Sequence, residues 1–331
     1  MKRARRRRAL LVWAGLAASF PARLRAQPVA RIAVLGGSAG LADPSAQRVF
    51  IRPLRAGLRE AGWVEGSNLT IEWRFAEGRP ERLPALLAEL LALKPDVLVT
   101  IGPRPALLAK QAAGTLPVVA VAIDDPVDMG LATSRTRPGG HITGLVGAFE
   151  GILSRRLQLL KDFVPDAKRV AVLMNPATLS RQSLDGVLPE LSRQLGMPIV
   201  IFEAPLPQDY EAVFARIVRE PADGVLVLAD ATFFAHRMEL GRLCLKHRLP
   251  SIWGGRDYLE GGGLASFQGD FAELSRRAGA LVDKILRGTP PGEIPFEQST
   301  KFELVVNLKG ARALGMKVPQ SVLVSADEVI E

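Results

Sequence analysis

The sequence predicts an α/β protein made of two similar units, each a parallel sheet with helices between its strands. Short apolar runs alternate along the chain with longer segments whose apolar residues have helical spacing, the pattern of repeated βα pairs. The apolar run at residues 118–123 ends abruptly at Asp124-Asp125-Pro126, and such a bounded run is typical of a buried strand. After a turn at residues 137–140 the same alternation begins again, so the boundary between the units is expected near Gly147.

In the first unit, continuous apolar runs predict strands that are buried on both faces of a sheet. The run at residues 69–73 alternates more than the others, so we expect it nearer an edge. The intervening helices are expected to begin at Pro44, Pro80 and Pro105. These βα repeats predict a Rossmann-like unit with strands at residues 31–35, 69–73, 96–101, 118–123 and 142–146.

The second unit repeats the theme and then departs from it. Its predicted strands are residues 169–174, 199–202 and 224–228, and its helices are residues 153–163, 208–219 and 232–247. From Gly261 onward the pattern changes. Three glycines precede a strand at residues 264–267, a helix at residues 271–286 and a Pro/Gly-rich linker at residues 289–295. A last strand at residues 302–306 and a short helix at residues 308–314 follow.

Of the net charge of +9, eight positive charges belong to the N-terminal leader. The first 26 residues hold six Arg and Lys residues before Ala9, then an apolar block at residues 10–20, then Arg23 and Arg25 before Ala26. This arrangement predicts a secretory signal cleaved near Ala26, and Arg7-Arg8 resembles a twin-arginine signal. The apolar block is too short to span a bilayer as a helix. Because the rest of the chain is near neutral, the charge does not predict a nucleic-acid partner.

Polar side chains follow the predicted strands of both units at the point where each strand ends. In open α/β sheets ligands bind beyond the carboxyl ends of the strands, and helix N-termini there can bind anions. The Asp carboxylates could hold a cationic group or simply cap helices, and Trp253, Tyr258 or Phe149 could cover an apolar part. The candidate ligand-binding residues are Ser38, Gly102, Asp124, Asp125, Thr143, Asn175, Asp230, Trp253 and Gln268.

Sequence signals for catalysis are weak. Residues 36–40 match the G-x-S-x-G pattern of a serine hydrolase around Ser38, but residues 41–43 separate that pattern from the helix predicted to begin at Pro44. No G-x-G-x-x-G motif of dinucleotide binders occurs there, and the three histidines have no metal-ligand spacing. The single cysteine, Cys244, is expected in the core. The sequence therefore predicts no cofactor, no metal and no enzyme, with a secreted serine hydrolase using Ser38 as the alternative.

Three segments resemble the substrate-binding proteins of ABC-type uptake systems, in the branch that includes binders of aromatic amino acids. They are DPVDMGLATSRTRPGGHITG at residues 125–144, VAVLMNPA at residues 170–177, and the tail at residues 301–331. The resemblance covers essentially the whole chain. Where the family usually has Gly-Thr-Pro, this chain has Gly102-Pro103-Arg104, which removes a hydroxyl from that point.

The resemblance implies a type I periplasmic-binding fold, in which three crossovers join two lobes. It assigns residues 27–147 and 261–292 to the first lobe, and residues 148–260 and 293–331 to the second. It also implies a monomeric periplasmic receptor that captures a small solute, such as an amino acid or related carboxylate, and delivers it to an ABC permease in the inner membrane. A cytoplasmic repressor of similar fold is a further alternative, but a leader stands where its DNA-binding helices would be.

Overall fold

The computed structural model describes residues 29–38, 40–147, 151–178 and 181–331 of the chain. The predicted leader at residues 1–26 lies outside the described residues. The described part forms two α/β lobes, each built on one sheet with helices on both faces. Both predicted units are therefore confirmed. No helix in this part of the chain is long and apolar enough to cross a membrane.

The first lobe contains a six-stranded sheet in which every strand is parallel to its neighbours, in the order β11-β5-β4-β3-β1-β2. The strand β2 lies at an edge, as its alternating pattern predicts, with its odd-numbered residues buried. The strands of this sheet are β1 Ala30–Gly36, β2 Leu69–Phe75, β3 Val97–Ile101, β4 Val118–Ile123, β5 Ile142–Val146 and β11 Glu297–Gln298.

The second lobe contains a seven-stranded sheet in the order β13-β12-β10-β9-β8-β6-β7. All neighbouring pairs are parallel except β10 and β12. Its strands are β6 Val170–Met174, β7 Ile199–Glu203, β8 Gly224–Val227, β9 Ser251–Trp253, β10 Ala265–Gly269, β12 Phe302–Asn307 and β13 Glu328–Ile330.

The helices alternate with the strands, as the spacing of apolar residues predicts. They are α1 Pro44–Ala46, α2 Arg52–Glu60, α3 Leu83–Ala92, α4 Pro103–Ala112, α5 Ile152–Phe163, α6 Arg181–Asp185, α7 Leu188–Leu195, α8 Tyr210–Arg219, α9 Ala231–Ala235, α10 Arg237–Lys246, α11 Phe271–Leu286, α12 Leu308–Ala313 and α13 Gln320–Ser325. A π-helical turn, Gln47–Ile51, joins α1 to α2, and 3-10 turns occur at Pro80–Arg82, Pro207–Asp209, Arg256–Gly261 and Pro291–Glu293.

Helix α11 covers one face of the first sheet and packs tightly on α2. Its apolar stripe, which includes Leu274 and Leu281, lies in the same core cluster as Leu54 and Leu58 of α2. The two backbones approach closely at Gly57, where an added Cβ would lie 1.8 Å from the carbonyl oxygen of Arg276. A large side chain at this crossing would push the helix off the sheet.

The segment that begins at Gly261 does not belong entirely to the first lobe, in contrast to what the resemblance implies. The strand β10 pairs with β9 through Ala265 and Ile252, so it belongs to the second sheet and not to the first. Only α11, which follows it, returns to the first lobe, and β11 then adds to the first sheet beside β5. The lobe division that the resemblance implies therefore misplaces β10, and the apolar run of a strand could not correct it because it does not identify the sheet that the strand joins. The chain passes between the lobes between β5 and α5, between β10 and α11, and between β11 and β12.

Candidate functional site

A cavity of about 330 Å³ lies between the two lobes, where the carboxyl ends of strands from both sheets face each other. Five of the nine candidate residues line it. Ser38, Gly102 and Asp124 follow β1, β3 and β4 of the first lobe, while Asp230 and Gln268 lie at β8 and β10 of the second. The structure thus brings five residues that are far apart in sequence to the wall of one cavity.

The other candidates do not line this cavity. Thr143 is fully buried in β5 and donates its hydroxyl to the carbonyl oxygen of Ile294 at 2.8 Å. Trp253 is also fully buried and donates Nε1–H to Ser251 Oγ at 2.7 Å. Trp253 is the last residue of β9, not a residue beyond it, so its ring lies among the core residues of the second lobe.

Asp125 has a structural role. Its Oδ1 accepts hydrogen bonds from the backbone N–H groups of Val127 at 2.7 Å and Asp128 at 3.1 Å, and Arg135 donates to Oδ2. Partial burial acts to raise the pKa of Asp125, but the hydrogen bonds from Arg135 and the two backbone groups outweigh it and lower the pKa. This carboxylate caps a turn and holds an arginine, so it does not contribute to the cavity wall.

Asp230 both caps a helix and faces the cavity. Its Oδ1 accepts from the N–H groups of Thr232 and Phe233 at the start of α9 and from Asn175 Nδ2 at 3.2 Å. Thr178 donates its hydroxyl to Oδ2 at 2.7 Å. Asn175 lies behind Asp230 and orients it, although Asn175 itself does not reach the cavity. With four donors already in place, Asp230 is a rigid wall group whose charge is largely compensated.

Asp124 is placed differently from its neighbour Asp125. In β4, Ala122 has a left-handed backbone with φ of 57°, and the pairing with β5 shifts register there. This bulge ends the regular strand at the cavity, which Asp124 lines. Among the described residues its carboxylate has no hydrogen bond and no ion pair. The side chain of Asp124 is exposed to the cavity. The protein that surrounds the cavity nevertheless removes much of the bulk water around the carboxylate, and this desolvation raises the pKa of Asp124.

A buried arginine in the cavity wall was missed by the sequence analysis. Arg156, on α5, is 6% exposed and donates Nε–H to the carbonyl oxygen of Phe267 at 2.7 Å. No carboxylate pairs with it among the described residues, and burial lowers its pKa to about 10, so the guanidinium stays charged at neutral pH. The sequence nevertheless contains an indication that Arg156 is buried. Arg156 occupies a core-facing position of the apolar stripe that includes Ile152, Leu160 and Phe163. Charged side chains are rarely buried at such a position unless they have a partner.

The first turn of α4 offers fewer backbone N–H groups to the cavity than the sequence suggested. A helix after Gly102 was expected to offer backbone N–H groups to an anion. Pro103 and Pro105, at the first and third positions of that helix, carry no N–H. The side chain of Arg104 stands between them, lines the cavity and donates to the carbonyl oxygen of Ala177 on the other lobe at 3.1 Å. The cationic side chain of Arg104 thus takes the place of part of the helix N-terminus.

Aromatic rings form the apolar part of the wall. Phe50 and Phe271 of the first lobe stack with ring centroids 6.4 Å apart. Phe234 and Tyr258 of the second lobe meet edge to face at 5.2 Å. Tyr258 was among the three aromatic residues that the sequence suggested, whereas Phe149 lies outside the described residues. The rings on both sides suit a solute with a flat or apolar body.

The serine hydrolase alternative is not supported. Ser38 lines the cavity, but none of the described residues places a histidine or carboxylate within hydrogen-bonding distance of its hydroxyl. His141, His236 and His247 do not line the cavity. An activated serine needs an adjacent base, so the residues described here assemble no nucleophile at Ser38.

Comparisons with known proteins agree with this architecture. Residues 43–330 match the family described as ABC transporter substrate binding protein. A tyrosine-binding protein of Clostridioides difficile is 22% identical over 272 residues, which are 82% of this chain and 77% of that protein.

Two solved structures each cover 91% of this chain and 99% of their own. A conserved domain protein from Vibrio cholerae has a TM-score of 0.83 and 26% identity. A protein solved in complex with L-Trp, from Streptococcus pneumonia, has a TM-score of 0.82 and 24% identity. Because the family match spans most of the sequence, the chain belongs to the ABC transporter substrate-binding proteins, extracytoplasmic proteins that bind a small solute for an ABC importer.

Proposed function

We propose that the solute of this receptor is amino-acid-like, with one carboxylate, one ammonium group and an apolar or aromatic body. The observation that carries the proposal is the presence of two opposite charges, Asp124 and Arg156, in one cavity. Neither has an oppositely charged partner among the described residues. Arg156 is buried, and the surrounding protein desolvates Asp124 although its surface is open to the cavity. Unpaired charges in such surroundings are costly, and a zwitterion would pair both.

The chemistry of the wall assigns a role to each group. The guanidinium of Arg156, fixed by its bond to Phe267, offers its free N–H groups to a carboxylate, for which its planar fork is suited. Asp124 accepts from the ammonium. The rings of Phe50, Phe234, Tyr258 and Phe271 cover the body of the solute. The volume of about 330 Å³ lies at the small end of the range for ligand pockets. Relatives that are named for tyrosine or contain L-Trp support this class.

The wider role follows from the family and the leader. In this proposal the protein is exported, by the twin-arginine route or the general one, and its leader is cleaved near Ala26. It then works in the periplasm as a monomer that presents its closed form to a permease in the inner membrane. It binds no nucleic acid and catalyses no reaction. The lobe division that fits the sheets is residues 27–147 and 270–298 for the first lobe, with the remainder forming the second.

The test is thermal melting of the exported protein against matched sets of compounds. One set is L-phenylalanine, phenethylamine and 3-phenylpropionate, which differ only in the two charged groups. L-leucine, glucose and adenine extend the panel. A zwitterion at about 100 times its dissociation constant would add roughly 2.7 kcal/mol of stability. The proposal expects stabilisation by one or more amino acids and little by the corresponding amine or acid. Equal stabilisation by the acid alone, or none by any amino acid, would contradict it.

Variants assign the two charges. Asp124→Asn and Arg156→Lys are each expected to weaken binding of the stabilising amino acid by at least about 30-fold, because each leaves a buried charge of the solute poorly paired. The matched controls are Asp128→Asn and Arg155→Ala, nearby residues of like charge that do not line the cavity. They are expected to bind as the unaltered protein does. If Asp124→Asn also binds normally, the ammonium is held elsewhere.

A further inference from the structure

Beside the cavity, the two lobes contact each other directly through charged and polar side chains. The first lobe contributes them from the start of its first helical segment, and the second lobe contributes them from α10 and from the 3-10 turn that follows β9. We call this group the margin cluster. It consists of Asp43, Ser45 and Arg48 on the first lobe, and Arg237, Asp257 and Glu260 on the second.

The pair Arg48 and Asp257 depends entirely on the lobes being together. Asp257 is only 5% exposed, and its ion-pair partner among the described residues is Arg48 of the opposite lobe. The side chain of Arg48 is 49% exposed, so water reaches this pair from one side. Separation of the lobes would leave the Asp257 carboxylate without its counter-charge.

Arg237 forms a second bridge. Its Nη2 donates to Asp43 Oδ2 at 3.3 Å and to Ser45 Oγ at 3.4 Å across the lobes, while its Nε donates to Glu260 of its own lobe at 3.0 Å. Its guanidinium carbon also lies 4.8 Å from the ring centroid of Phe234. Glu260 would keep Arg237 paired if the lobes separated, so this bridge should contribute less to closure than Arg48 and Asp257.

The margin cluster adjoins the cavity wall, and one of its members, Asp257, itself lines the cavity. Phe50 stands two residues after Arg48, and Tyr258 follows Asp257 directly. Both Phe50 and Tyr258 touch the space where the solute would lie. A π-helical turn, Gln47–Ile51, is the local irregularity that presents Arg48 to the opposite lobe and Phe50 to the cavity.

We propose that the margin cluster, with Arg48 and Asp257 as its main pair, holds a measurable share of the protein closed before any solute binds. The residues act by positioning the lobes, and Arg48 does so without touching the solute. Solute capture then shifts a population that already exists. Since both pairs are ionic and partly reached by water, salt should weaken them. The proposal concerns the lobes alone, so it stands or fails independently of the identity of the solute.

The experiment measures the distance between two spin labels, one on each lobe, at Val64→Cys and Val187→Cys. Both positions are exposed and lie outside the margin cluster, and the native Cys244 is buried. The protein is unfolded and refolded first, to remove any carried-over solute. The doubly labelled protein is compared with its Arg48→Ala and Arg52→Ala variants and with the charge-exchanged variant Arg48→Asp/Asp257→Arg. Arg52 is the control, an exposed arginine on the following turn with no ion pair among the described residues.

The unaltered protein and Arg52→Ala should show a short and a long distance at low salt. Arg48→Ala should shift the ratio of closed to open protein about fivefold toward open, the size of a partly exposed ion pair. Sodium chloride at about 1 M should act in the same direction, and the charge-exchanged variant should restore the short distance. A single long distance in the unaltered protein would overturn the proposal, and so would an Arg48→Ala distribution identical to that of Arg52→Ala.

Discussion

At the scale of single residues, Asp124 and Asp125 show how far adjacent side chains of one type can differ. The sequence gives both the same signal, since both follow a buried strand. The left-handed Ala122 ends β4 with a bulge, after which Asp124 lines the cavity and Asp125 caps a turn and binds Arg135. A pattern of residue types does not contain a backbone angle, so the sequence could name the pair but not choose between its members.

Asp124 is expected to destabilise the folded protein when no solute is bound. Its pKa is raised in the folded state because desolvation disfavours the carboxylate. The folded state therefore binds the proton more tightly than the unfolded state, and stability falls as the pH rises from the unfolded pKa through the folded one. Asp124→Asn is expected to raise the melting temperature at pH 7 and to lose that advantage toward pH 4. Calorimetry across this range measures it, with Asp128→Asn as the control. A lower melting temperature for Asp124→Asn at pH 7 would mean that the carboxylate has a stabilising partner.

The same titration should govern affinity. A protonated Asp124 no longer carries the charge that an ammonium group needs. Binding of a stabilising amino acid should therefore weaken as the pH falls through the raised pKa of Asp124, earlier than an ordinary aspartate would allow. Titration calorimetry of the unaltered protein and Asp124→Asn measures this. The variant is expected to bind weakly at every pH, so an equal pH dependence in both proteins would assign the effect to another group.

At the scale of helices and strands, most elements could be predicted and their partners could not. Continuous apolar runs located strands in both sheets, and the helix predicted at residues 271–286 is α11, which Asp270 caps by accepting from the N–H of Glu273 at 2.9 Å. Trp253 was placed beyond a strand that in fact ends at that residue. Side chains alternate between faces along a strand, so an error of one residue in where a strand ends is enough to move a ring from a cleft into the core. Arg156 was missed for a related reason. The spacing of apolar residues indicates which face of a helix is buried, but not whether that face contacts the core or a cavity.

The crossing of α2 and α11 permits a direct test of close packing. At Gly57 an added methyl group would overlap the backbone of Arg276, so Gly57→Ala should lower the free energy of unfolding by about 1–3 kcal/mol or more. Guanidinium denaturation measures the change. The control is Gly140→Ala, where nothing lies within 4 Å of the added Cβ, and little change is expected. Equal stability of the two variants would show that α11 can move away from α2 without loss.

At the scale of the whole molecule, closure requires small residues where the lobes meet. Gly37 of the first lobe faces Ala231 of the second, and an added Cβ would lie 3.2 Å from the Cβ of Ala231. Gly37→Val should hold the lobes apart and reduce affinity for a stabilising amino acid by about tenfold or more, as expected for roughly 1.4 kcal/mol. The melting temperature without solute should change little. The control is Gly40→Val, where the atoms nearest to an added Cβ belong to the flexible side chain of Glu77 on the same lobe. An unchanged affinity for Gly37→Val would show that the lobes close without this contact.

The route of the chain between the lobes also has a consequence for synthesis on the ribosome. The first five strands of the first sheet emerge early, together with the apolar face of α2. Helix α11, which covers that face with Leu274, Leu281 and Ile285, is translated only after five of the seven strands of the second sheet. The first lobe must therefore wait, with part of its core uncovered, until the nascent chain has passed through most of the second. A chain released before α11 would expose that surface to aggregation, so neither lobe is expected to mature during translation without the other.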